Sequence, residues 1–154
     1  MTIVPLTDQH TNPPTEVVIS AVDAFGMTAE SKLTLTIDAV NDAPSFTKGV
    51  DEEVNEDAGP QTAVAWATNI SKGAANESDQ MLTFNITGNS NPDLFAVGPT
   101  IAADGTLTYT PAHNANGSAE IKLMLSDDGG TDYGGKDTST EQTFTVTVNQ
   151  VNDP

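Results

Sequence analysis

The chain contains no cysteine and no arginine. Without thiols it can build neither a disulfide framework nor a thiolate metal site, and it has no cysteine nucleophile. Five lysines stand against 22 Asp and Glu, for a formal charge of −17 and a pI near 4.1. So few cations cannot neutralise phosphates and release counterions, which excludes nucleic acid and anionic lipid surfaces as partners. No apolar run approaches the roughly 20 residues of a membrane span, so membrane insertion is not expected. The N-terminus lacks the basic and apolar regions of a signal peptide, so an exported protein would contain this chain as an excised piece. Aromatics make up only 5% of the residues, too few for an obvious sugar platform. The two histidines, His10 and His113, lie in Pro- and Asn-rich stretches, and neither belongs to a pattern that pairs it with a nucleophile or metal. A carboxylate pair for glycoside hydrolysis is uninformative where 22 acids are present. The chain is not expected to be an enzyme.

What it has in excess is carboxylate and strand pattern. Self-repulsion of the acids disfavours compaction unless salt screens it or a multivalent cation binds, and outside a cell calcium is the natural candidate. Leu107 and Tyr109 in "TLTYT", and Phe144, Val146 and Val148 in "TFTVTV", alternate with threonines. Leu33, Leu35 and Ile37, and likewise Ile121, Leu123 and Leu125, follow the same period of two. That is the mark of strands with one buried face, and no stretch sustains a helical stripe. Turn signals at 57–60, 89–92, 104–105, 116–117 and 127–135 separate the strands. Short strands so spaced predict an all-β, two-sheet sandwich.

The acidic, proline-terminated tag "VNDAP" at residues 40–44 returns as "VNDP" at 151–154. "EVVISAVDAFG" from Glu16 aligns with "EIKLMLSDDGG" from Glu120 at an offset of 104, whereas the tags are 111 apart. The difference fits a longer loop around 131–136 in the second copy. The tag therefore ends a module. Residues 1–43 read as the C-terminal part of one repeat plus its linker. Residues 44–154 read as a complete repeat and the start of the next linker, a usual size for a sandwich.

Seven segments, "VNDAPSFTKG", "VNEDAGPQ", "AWATNISKG", "LTFNITGNSNPDLF", "GTLTYTPAHNANGSAEIKL", "SDDGG" and the closing tag, together resemble the cadherin-like, immunoglobulin-like tandem repeats of large bacterial surface proteins and adhesins. The resemblance covers residues 44–154 in order; the first 43 match only the family's last two strands and the tag. It implies a seven-strand Greek-key sandwich with strands A to G at 46–54, 63–69, 82–87, 94–101, 106–109, 121–126 and 143–149. It also implies Ca2+ in the joints between repeats. The linker keeps Asn41 and Asp42 but carries Ala39 and Ala43 where the family has ligands, with Asp38 placed to compensate. In the implied strand order Asp42, Asp79, Asp127 and Asp128 gather at one end of the sandwich. Glu56, the loop around Asn114, Asn152 and Asp153 gather at the other. Calcium takes six to eight oxygens, and extracellular modules hold it with dissociation constants of about 0.1–1 mM. Close carboxylates repel by on the order of 1 kcal/mol per pair in a watery setting, and a cation reverses the sign.

Plainer readings stand beside these. "DDGG" is a turn in any β-protein, Asn-Asp before proline can simply end a strand, and Glu56 and Asp57 can be charges guarding an edge strand. Asp79 lies in a soft loop. "GGTDYGGKD" at 129–137 resembles a single β-roll nonapeptide, an architecture that needs stacked copies. Trp66 reads as core, and Tyr133 is the one plausible exposed aromatic. The expectation is a non-catalytic extracellular spacer or adhesion repeat of a bacterial cell surface. Its partners are neighbouring repeats, with a cell-surface glycan or protein as a further possibility, and a carbohydrate- or ligand-binding module is the alternative. The strands within residues 1–43 form only a hairpin, marginal alone in water, whose apolar face calls for a partner sheet.

Overall fold

The computed structural model describes residues 2–152. Strands β1 (Thr15–Val22) and β2 (Thr28–Leu35) form an antiparallel hairpin that, among the described residues, pairs with no other strand. Its turn is fixed locally. Asp23 Oδ1 accepts the N–H groups of Phe25 and Met27, both at 2.8 Å, and Gly26 supplies a φ of +82° that L-residues avoid. Val17 and Leu33 face each other and share one face with Ile19 and Leu35. Leu33 is 47% exposed and Ile19 46%, with Val17 and Leu35 half-buried, so no second sheet covers this face among the described residues.

The rest of the chain is a β-sandwich. One sheet has the order β4 (Glu52–Asn55), β11 (Gln142–Asn149), β10 (Gly117–Ser126), β7 (Thr83–Asn89). Its strands are antiparallel except that β4 runs parallel to β11. Opposite lie β5 (Gln61–Ala63), β9 (Leu107–Pro111) and β8 (Phe95–Ile101), with β3 (Ser45–Thr47) and β6 (Thr68–Ser71) as a separate pair. On β10 and β11 the alternation is strict, and Ala119, Ile121, Leu123, Leu125, Phe144, Val146 and Val148 are all buried. Burying each large aliphatic there contributes about 1.5–3 kcal/mol. Ile121 faces Phe144 across β10 and β11, the counterpart of Val17 facing Leu33, so the hairpin carries the module's own register at the offsets seen in the sequence.

Two expected strands are broken. The segment expected as one strand over 46–54 is β3 and β4, which belong to different sheets, with 48–51 crossing between them. The segment expected over 63–69 is β5 and β6, interrupted at 64–67 by Ala65 at φ +52°. Trp66 therefore sits in the interruption rather than on a strand. It is core nonetheless: 6% exposed, its ring centroid 4.5 Å from that of Phe144, its indole N–H donating to Val50 O at 2.9 Å. Gly49 makes room for it, since a β-carbon there would meet the indole Nε1 and the Trp66 carbonyl at 2.6 Å. The other five expected strands match β7, β8, β9, β10 and β11 with boundaries moved by a few residues.

Candidate functional site

The linker 38–43 enters the sandwich end formed by the β6–β7 and β10–β11 loops, and Asn41 is where it docks. Its side-chain amide donates to Asp127 Oδ1 at 2.9 Å and to the Lys136 carbonyl at 2.7 Å. Its Oδ1 accepts from Gln80 Nε2 at 2.6 Å, and its backbone carbonyl accepts from Lys136 N at 2.9 Å. One residue on, Asp42 N–H donates to Glu77 Oε1 at 2.8 Å, while Glu77 Oε2 accepts from Ala74 N–H at 2.8 Å. Glu77 is only 7% exposed, and Pro44, which follows, is fully buried.

The loops leave space for this approach. A β-carbon on Gly129 would overlap Asn41 Oδ1 and Gln80 Nε2, one on Gly135 would stand 3.0 Å from Asn41 N and Cβ, and one on Gly73 would overlap Glu77 Oε2 and meet Asp42 O at 2.8 Å. The two aspartates of "DDGG" do more than turn the chain. Asp127 Oδ1 also accepts from Gly129 N–H at 2.9 Å, and Asp128 Oδ1 accepts from Met81 N–H at 2.8 Å, tying the two loops together.

Asp79 is exposed and borders a cavity of about 260 Å³ with Asn41, Glu77 and Gln80. A second cavity of about 140 Å³ is lined by Asp8, His10, Asp38 and Asp42. Thus Asn41, Asp42, Asp79, Asp127 and Asp128 do share one end, but several of the expected ligand oxygens accept protein N–H groups. Among the described residues, no group of three or more His, Asp or Glu is placed to hold a metal ion. The acidic and amide side chains there nevertheless offer oxygens of the kind calcium takes, with His10 the nitrogen donor beside them. Asp127 Oδ2 and Gln80 Oε1 are buried with no hydrogen-bond partner among the described residues, an arrangement that an oxygen-seeking cation fits.

At the far end Glu56, 5% exposed, accepts Val151 N–H at 2.7 Å, and its own N–H donates to Asn149 O at 2.9 Å. Asp57 Oδ1 accepts Asn114 N–H at 3.1 Å and lies 3.1 Å from His113 Nδ1. Asn152 is exposed beyond Val151. Asp153 lies outside the described residues. Tyr133 is 72% exposed on the β10–β11 loop.

Glu77 and Gln80 were not legible as site residues. Glu77 reaches back to Ala74 N–H as in half of a capping box, but Ala74 stands where Ser or Thr would have signalled it.

No family model and no curated protein matches the sequence. Among solved structures, the crystal structure of human protocadherin-24 EC1-2 is similar over 94% of this chain and 68% of that one, with a TM-score of 0.58 and 18% identity. A second crystal form of the same protein gives 90% and 67% coverage, a TM-score of 0.59 and 18% identity. The likeness establishes the cadherin-like fold of this chain.

Proposed function

We propose that the chain is a non-catalytic, extracellular spacer or adhesion repeat of a large bacterial surface protein, with calcium stiffening the joints between repeats. Residues 1–43 are the last part of a preceding repeat and its linker, and 44–154 a whole repeat with the start of the next linker. Supporting this division, the hairpin repeats the register of β10 and β11 while its apolar face stays open. The reading rests above all on the linker, whose Asn41 is seated beside Asp127, with Asp127 Oδ2 and Gln80 Oε1 buried and unpartnered next to it.

When bound, calcium supplies positive charge that offsets the crowded carboxylates. Asp127, Gln80 and Asn41 would hold it at the linker end with help from Asp79 and Asp128, and Glu56, Asn152 and Asp153 at the other end. At ion concentrations near the dissociation constant the gain is below about 1 kcal/mol per site. The ion's main effect is on the joint rather than on whether the domain folds.

Small-angle scattering of a tandem of two such repeats tests the reading. Calcium added to chelated protein is expected to lengthen and narrow the particle; an unchanged profile rejects the role of the metal. A glycan array that returns a reproducible ligand, lost on Tyr133→Ala, would favour a sugar-binding module instead.

A further inference from the structure

We infer that the sandwich end is a built socket for the linker, with Asn41 as its plug, and that this socket seats the linker by protein contacts alone, before any cation binds and stiffens the joint. Asn41 satisfies three side-chain hydrogen bonds and one backbone bond with residues from two loops, at 2.6 to 2.9 Å. An asparagine that merely ended a strand would face water and need none of them. The receiving surface is shaped for this chain: Gly73, Gly129 and Gly135, from two different loops, are open where a β-carbon would strike Asn41, Asp42 or the groups that hold them. Glu77 is the second independent feature. A buried carboxylate needs donors, and among the described residues it takes the N–H of Asp42 and that of Ala74 beside the socket.

The far end offers the complementary half. Glu56, also buried, takes the N–H of Val151, whose place in its tag is that of Val40 in the first. A linker in this architecture is thus gripped twice, by a glutamate of the module it leaves and by the socket of the module it enters. The partner the socket fits is a Val-Asn-Asp linker of another repeat, and the asparagine is the residue read. This is independent of the calcium reading, since every contact named is between protein groups.

Amide hydrogen exchange of the full chain, followed by NMR in chelator and then in excess calcium, tests it. In chelator the amides of Asp42 and Lys136 are expected to exchange at least roughly tenfold more slowly than in an unstructured peptide. Asn41→Ala should remove most of that protection while the amides of β10 and β11 keep theirs. If Asn41→Ala unfolds the chain, Gly129→Ala closes the socket from the other side and must have the same local effect. Protection that arises only with calcium overturns the socket and leaves the metal reading standing. Protection that survives both substitutions overturns the socket as well. Socket protection in chelator with no further change on adding calcium upholds the socket and counts against the metal alone.

Discussion

Glu77 Oε1 accepts the backbone N–H of Asp42 at 2.8 Å, a bond between the β6–β7 loop and the linker across 35 residues of sequence. Glu77 and Glu56 are the buried charged residues among those described, and each is spent on a linker N–H. Hydrogen bonds to a charged group contribute about 1.5–3 kcal/mol. Glu77→Ala is therefore expected to lower stability in urea unfolding by about 1–3 kcal/mol. Glu77→Gln, which keeps an acceptor oxygen, should lose less. No loss of stability in Glu77→Ala would mean that the carboxylate holds nothing.

The glycines make a paired test. Gly73 has a φ of +120°, and a β-carbon there strikes Glu77 and Asp42, whereas at Gly98 nothing lies within 4 Å. Gly73→Ala should cost about 1–3 kcal/mol. Gly98→Ala should change stability by less than about 0.5 kcal/mol. Thermal melts of the two variants read the contrast directly.

Tyr109 carries a pH dependence. Burial first, then the nearby charge of Glu52, whose Oε2 lies 3.5 Å from the phenol oxygen, push its hydroxyl up to about 12. The unfolded value is about 10. The folded state thus keeps the proton more tightly, so this stability is fully present below pH 10 and is lost as pH rises toward 12. Alkaline unfolding should begin in that window, and Tyr109→Phe should move its midpoint upward. A phenolate absorbance titration of Tyr133→Phe, which leaves Tyr109 as the only tyrosine, should show no ionisation near pH 10 before unfolding.

The two parts of the chain should respond differently to damage. Leu123 is fully buried on β10, so Leu123→Ala should cost about 2–5 kcal/mol. By contrast β1 and β2 pair only with each other among the described residues, so limited proteolysis should remove the hairpin first and leave the melting temperature of the remainder within a few degrees. Coincident loss of hairpin and module would show that they fold as one unit.

The fold was readable wherever one face of a strand is buried, because the alternation on β10 and β11 records that burial residue by residue. It was not readable at 48–51 or 64–67, where the chain changes sheets. Such a switch is decided by which sheet offers an open edge, and Ala65 takes a positive φ without a glycine to announce it. At the site, Asn41, Asp42, Asp127 and Asp128 stood out because they belong to short tags. Glu77 and Gln80 did not, since they meet the linker only across 35 and 39 residues and carry no local pattern. Nor could the sequence show that "DDGG" spends its aspartates on N–H groups of the linker and the facing loop.

The most direct test of the proposed role is a calorimetric calcium titration of the chelated full chain, run beside Asp127→Asn. The account predicts saturable binding with a dissociation constant of about 0.1–1 mM, weakened severalfold by the substitution. Absence of saturable binding through that range, or binding indifferent to Asp127, would contradict it.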